Sequence, residues 1–131
     1  MTGVEQKWQA FSTADAALAA SGTVSLELAL CGVPHASVYR FDFLAQWIIM
    51  RNLIAWSGNL PNLISNRVLV PEYYAQYFRP DAHSRLVAGL MEQGSLTRQA
   101  QLAGFQQVRD IMRTSHPAAT IAAERVLIYF N

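Results

Sequence analysis

Thirteen residues, Asp15-Ala-Ala-Leu-Ala-Ala-Ser-Gly-Thr-Val-Ser-Leu-Glu27, constrain the fold of this chain more than any other stretch. Ala16 to Ala20 is short and apolar, as a strand buried on both faces must be. Ser21-Gly22-Thr23 is a tight turn. Val24, Leu26, Leu28 and Leu30 then sit among helix formers, with Gly32 and Pro34 as the stop. Strand, glycine turn and helix start, in that order, build an anion site at the carboxyl end of a parallel sheet. Gly22 would let a ligand come close to the backbone, while Ser21 and Thr23 offer hydroxyls and a cap. Glu27 lies one helical turn beyond Thr23, where a carboxylate can accept hydrogen bonds from a diol. The same turn also serves as plain helix capping, which needs no ligand.

The flanking residues extend this unit. Residues 1–13, with Trp8 and Phe11, suit a helix leading into the strand, and His35 to Tyr39 suits a second strand after the Gly32-Val33-Pro34 turn. Strand, helix, strand with a brief connection is a right-handed βαβ unit with parallel strands. Asp42 to about Trp56 carries apolar residues nearly all round a helix, which implies core or subunit packing in preference to lipid contact. Ser57 to Asn62 has the residues of a loop, Val68-Leu69-Val70 those of a short strand ended by Pro71, and Glu72 to Phe78 those of a helical turn. Three helices follow. The first starts at Arg79-Pro80-Asp81 and stops at Gly94. The second is capped by Ser95 and runs to about Arg113, with Leu96, Ala100, Ala103, Phe105, Val108 and Met112 inward. The third opens at Pro117 and carries Ile121, Val126, Leu127, Tyr129 and Phe130. Two or three strands, all before residue 71, followed only by helices, describe the carboxyl half of an α/β domain with a helical tail.

The totals exclude several classes. A chain of 131 residues suits one domain or a piece of one, and a net charge of +1 gives no basic face for nucleic acid. Nine of the ten basic residues are arginine, which suits bidentate phosphate or carboxylate contacts. Cys31 stands alone and is expected as a small buried hydrophobe in a reducing compartment. His35, His83 and His116 lack metal-ligand spacing, and His83 and His116 are expected at the surface. Met1 to Ala10 lacks the apolar core of a signal peptide, and Phe43 to Trp56 is interrupted by Gln46, Arg51 and Asn52. A soluble chain, or one lying against a membrane, is expected.

Taken in order, Asp15 to Pro34, Val38-Tyr39-Arg40, Leu60-Pro61-Asn62-Leu63-Ile64, Arg67 and Val70-Pro71-Glu72 resemble the C-terminal part of the lipid-A-disaccharide synthases, from about Trp8 onward. The resemblance implies an α/β fold, namely the carboxyl half of a GT-B Rossmann-like nucleotide-binding domain with few parallel strands and a helical C-terminal tail. It implies a single partial domain over 1–131, with a βαβ-containing UDP-binding half at 8–72 and a helical tail at 73–131 that could be exchanged in a homodimer. The family is bacterial and cytoplasmic, peripheral on the inner membrane. It is an inverting glycosyltransferase that joins UDP-2,3-diacylglucosamine to 2,3-diacylglucosamine 1-phosphate and requires no metal or other cofactor. Carried over, Ser21, Gly22 and Thr23 would face the UDP diphosphate and Glu27 the ribose. Asn62, Arg67, Glu72 and Arg40 would be polar residues of the cleft.

Glu72 also suits a helix N-terminus, and Arg40 a plain surface position. Two residues depart from the family pattern. Gln76 comes one position late after Tyr73-Tyr74-Ala75, which leaves its role open, and Asn66 stands where the family often has glycine. The family's acceptor domain and its general-base aspartate lie upstream of the matching region, so no catalytic residue is assigned and the chain alone is expected to be inactive. The alternatives are a free-standing, non-catalytic module for nucleotide binding or dimerisation, and a part of another GT-B transferase.

Overall fold

The computed structural model describes residues 3–20, 22–40, 56–77, 79–114 and 116–130. Helix α1 (Gly3–Thr13) leads to strand β1 (Ala17–Ala19), helix α2 (Gly22–Cys31) and strand β2 (His35–Tyr39). After residue 55 come helix α3 (Leu60–Ser65), strand β3 (Glu72–Tyr74), a 3-10 turn (Ala75–Tyr77), and helices α4 (Pro80–Met91), α5 (Leu96–Met112) and α6 (Ala118–Phe130). The strands form one parallel sheet in the order β1-β2-β3, with Ala17 opposite His35 and Ser37 opposite Glu72. This is part of a Rossmann-like α/β domain, as expected.

Local chemistry explains the element ends. Gly32 takes φ +73 and closes α2 with paired bonds, Gly32 N to Ala29 O at 3.1 Å and Val33 N to Leu28 O at 2.9 Å. That is a Schellman ending, and its apolar contact is present because Leu28 and Val33 share a core cluster with Ala19. Ser95 caps α5 by accepting from Arg98 N at 3.1 Å. Asn66 ends α3 at φ +52, a left-handed conformation that asparagine tolerates, so the departure from glycine there leaves the backbone turn intact.

Side chains alternate across the sheet, which gives it two unlike faces. Ala17, Ala19, His35, Ser37 and Tyr39 lie under α2, α3 and α5. There Ala29, Val70 and Phe105 form a second core cluster, and the His35 ring stacks on Phe105 at 5.2 Å. Leu18, Ala36, Val38 and Tyr73 lie on the other face, where α4 contributes His83 against Tyr73 at 4.3 Å.

Several expectations are corrected. The third strand forms at Glu72–Tyr74, while Val68–Val70 stays irregular. Its rung is taken by a side chain: Gln101 Oε1 accepts from His35 N at 2.8 Å, and Gln101 Nε2 donates to His35 O at 2.8 Å and Leu69 O at 3.0 Å. Leu60 to Asn62, expected in a loop, form the first turn of α3, because Pro61 is well placed there. The buried face of α5 is Gln101, Gly104, Phe105 and Val108; Leu96, Ala100, Ala103 and Met112 are exposed. Gly104 sets that rotation, since the Leu69 side chain occupies the space a Cβ would need. Cys31 is exposed at the end of α2, and His83 is buried against Tyr73. The expected helix from Asp42, with Phe43, Trp47 and Ile48 as its apolar candidates, lies outside the described residues up to residue 55.

Candidate functional site

The carboxyl ends of the parallel strands meet the start of α2 and the loop Ser57-Gly58-Asn59. Gly22 is the first residue of α2, so the positive end of the helix dipole faces this edge. A Cβ on Gly22 would lie 2.6 Å from the Gly58 carbonyl oxygen. The glycine is therefore required by the chain's own backbone, whatever else approaches it. Thr23 is exposed in the first turn, and Ser21 lies outside the described residues.

Glu27 follows on the same side of α2. Its Oε1 accepts from Lys7 Nζ of α1 at 2.8 Å, with the carboxylate side chain 26% exposed. Lys7 also sits 4.8 Å from the centre of the Trp8 ring. The ion pair leaves Oε2 of Glu27 with acceptor capacity.

Glu72 and Asn62 come to the same loop. Glu72 Oε2 accepts from Ser57 Oγ at 2.7 Å, and Oε1 accepts from Gly58 N at 3.0 Å. Asn62 is fully buried: Nδ2 donates to Val70 O at 2.9 Å and Ser57 Oγ at 3.3 Å, while Oδ1 accepts from Leu69 N and Val70 N, each at 2.8 Å. Three of these bonds fold Leu69 and Val70 back onto α3. Arg67 is apart from this group. It is exposed where the chain approaches β3, donates to Gln107 Oε1 at 2.6 Å, and lines a cavity of about 350 Å³ with Pro71, Thr97 and Gln101 at the amino edge of the sheet. Arg40 is exposed just after β2.

Sequence reasoning missed the polar chain beneath the loop. Val33 O can only accept, so His35 Nδ1, 2.9 Å away, carries the ring proton, and Nε2 accepts from Ser25 Oγ at 2.5 Å. Ser25 Oγ accepts in turn from Asn59 Nδ2 at 2.8 Å, and Nδ2 also donates to Ser37 Oγ at 2.7 Å. Burial holds His35 down at about 4, so the ring is neutral. Tyr39, whose hydroxyl lies beside Gly58, is pushed above its ordinary value by burial, with Ser37 opposing and the Glu72 carboxylate adding to the rise. Side-chain partners ten to 34 residues apart leave no sequence signal for such a chain.

An apolar hollow of about 510 Å³ is lined by Leu18, Ala19, Ala20, Val38 and Ala75. Among the described residues, no group of three or more His, Cys, Asp or Glu side chains gathers as a metal site. Among the same residues, no helix is long and apolar enough to cross a membrane.

The family described as lipid-A-disaccharide synthetase matches residues 1–125. The chain is similar to the lipid-A-disaccharide synthase of Rhodopseudomonas palustris (strain BisB18), with 34% identity over 98% of this chain and 32% of the relative. It is similar to that of Pseudomonas savastanoi pv. phaseolicola, with 38% identity over 93% of this chain and 30% of the relative. That of Rhodospirillum centenum is 38% identical over 97% of this chain and 32% of the relative. The chain thus spans about a third of the length of these curated relatives.

Proposed function

The chain belongs to the lipid-A-disaccharide synthetase family, and from that premise we propose that it supplies the nucleotide-sugar-binding part of a lipid-A-disaccharide synthase. The observation that carries this reading is the placement of Gly22 at the start of α2, on the carboxyl edge of a parallel sheet. The positive end of the α2 dipole favours the diphosphate of a UDP-sugar, and the Thr23 hydroxyl can add a bond. Glu27 accepts from the ribose diol, with Lys7 holding its other oxygen and fixing its direction. Such a donor would be UDP-2,3-diacylglucosamine and the acceptor 2,3-diacylglucosamine 1-phosphate, joined with inversion in lipid A biosynthesis. The general base would come from outside these residues, so the chain alone would not turn over.

Calorimetry with UDP tests this. Micromolar binding that is lost in Glu27→Ala is the expected result, and an unchanged chain that takes up no UDP would refute it. Turnover by the 131-residue chain alone would refute the missing-base part.

A second role, dimerisation at the cytoplasmic face of the inner membrane, is favoured by α6. Its Val126, Leu127 and Ile128 are 53%, 61% and 69% exposed. A single monomeric species across a concentration series in analytical ultracentrifugation would sink that role.

A further inference from the structure

We propose that Glu72 is a positioning residue: it clamps the Ser57-Gly58-Asn59 loop over Gly22 and so sets the shape of the α2 start, without itself contacting the nucleotide. The inference deepens the nucleotide reading above and rests on it.

Both Glu72 oxygens already accept from this loop, Oε2 from Ser57 Oγ and Oε1 from Gly58 N. The direction of the Ser57 hydroxyl is forced. Its oxygen accepts from Asn59 N at 3.0 Å and from Asn62 Nδ2 at 3.3 Å, so its hydrogen is left for Glu72. Two donors therefore converge on one side chain, and only a carboxylate accepts at both atoms together. A glutamine would set its NH₂ against one of them. The other end of the loop is pinned into the core, where the Asn59 amide donates to Ser25 and Ser37. Held at both ends, the loop places the Gly58 carbonyl 2.6 Å from where a Gly22 Cβ would stand. Glycine at 22 and a carboxylate at 72 are two halves of one constraint. Residues 22 and 72 should then be energetically coupled although neither touches the other.

The test uses the whole 131-residue chain and the variants Gly22→Ala, Glu72→Gln, Ser57→Ala, Gly22→Ala/Glu72→Gln and Ser57→Ala/Glu72→Gln. Gly22→Ala is expected to lower the thermal midpoint by about 5 °C in the unchanged background. In the Glu72→Gln background it should cost less than half as much, because the released carbonyl can withdraw. Amide exchange at Gly58 and Thr23 should quicken about tenfold in Glu72→Gln. UDP affinity should fall about tenfold in Glu72→Gln and in Ser57→Ala, and no further in the double variant. Strictly additive midpoints with unchanged exchange would overturn the clamp, whether or not UDP binds. Loss of UDP affinity in Glu72→Gln with none in Ser57→Ala would make Glu72 a direct contact and overturn the positioning role. An unchanged chain that ignores UDP while the coupling persists would refute the nucleotide reading and reduce Glu72 to a folding role.

Discussion

At His35 and Ser37 on one face of the sheet and Leu18 on the other, the usual association of polarity with exposure is reversed. The face under α2, α3 and α5 carries His35 and Ser37, both fully buried, and each is bonded to a side chain from a helix or a loop. The opposite face carries Leu18, an aliphatic residue that is 55% exposed beside an apolar hollow. Specific partners, more than apolarity, decide which face is closed. A buried polar group without its partner is costly, so each bond on the covered face fixes where a helix must sit. Leu18 on the opposite face places no such demand on its neighbours.

The comparison predicts a graded response. Phe105→Ala removes the ring that backs His35 and should cost about 4 kcal/mol, measured by urea unfolding. A cost below 1 kcal/mol would mean that the covered face is not the stabilising one. Acid is the next largest probe. His35 sits at about 4 in the fold against 6.5 when unfolded, so the unfolded chain binds the proton first as pH falls. Stability is complete above 6.5 and declines as pH drops toward about 4, by about 3 kcal/mol in all. Unfolding midpoints that stay level over that window, or that fall equally in His35→Gln, would remove His35 from the account. Leu18→Ser, on the opposite face, should change stability by less than about 0.5 kcal/mol. A large loss there would show that this face is covered in solution, for instance by another copy of the chain.

What the sequence made legible follows the range of the forces involved. The bounds of β2, the Gly32 stop and the Ser95 cap are settled within a few residues of chain, and all three are found. Strand β3 is settled by pairing with residues 35 positions away in sequence, as in Ser37 opposite Glu72. The β-branched Val68 and Val70 point to the wrong segment because Asn62 and Gln101 hold that stretch in an irregular path. The glycine at 22 was legible and its reason was not: a ligand's approach and the Gly58 carbonyl make the same demand on a Cβ. Asn62 and Arg67, read as companions in a cleft, separate into a buried brace and an exposed residue at the other edge of the sheet.

Gln101 has a consequence for alignment. Strands of three residues, such as β1 and β3, can slide against a neighbour with few bonds to stop them. The carboxamide of Gln101 meets both the N–H and the C=O of His35, as a neighbouring peptide unit would. Only one residue of β2 can fill that notch while its ring also reaches Ser25 and Phe105. Helix α5 thus works as a key cut for one tooth, and a sheet too short to index itself is indexed from outside.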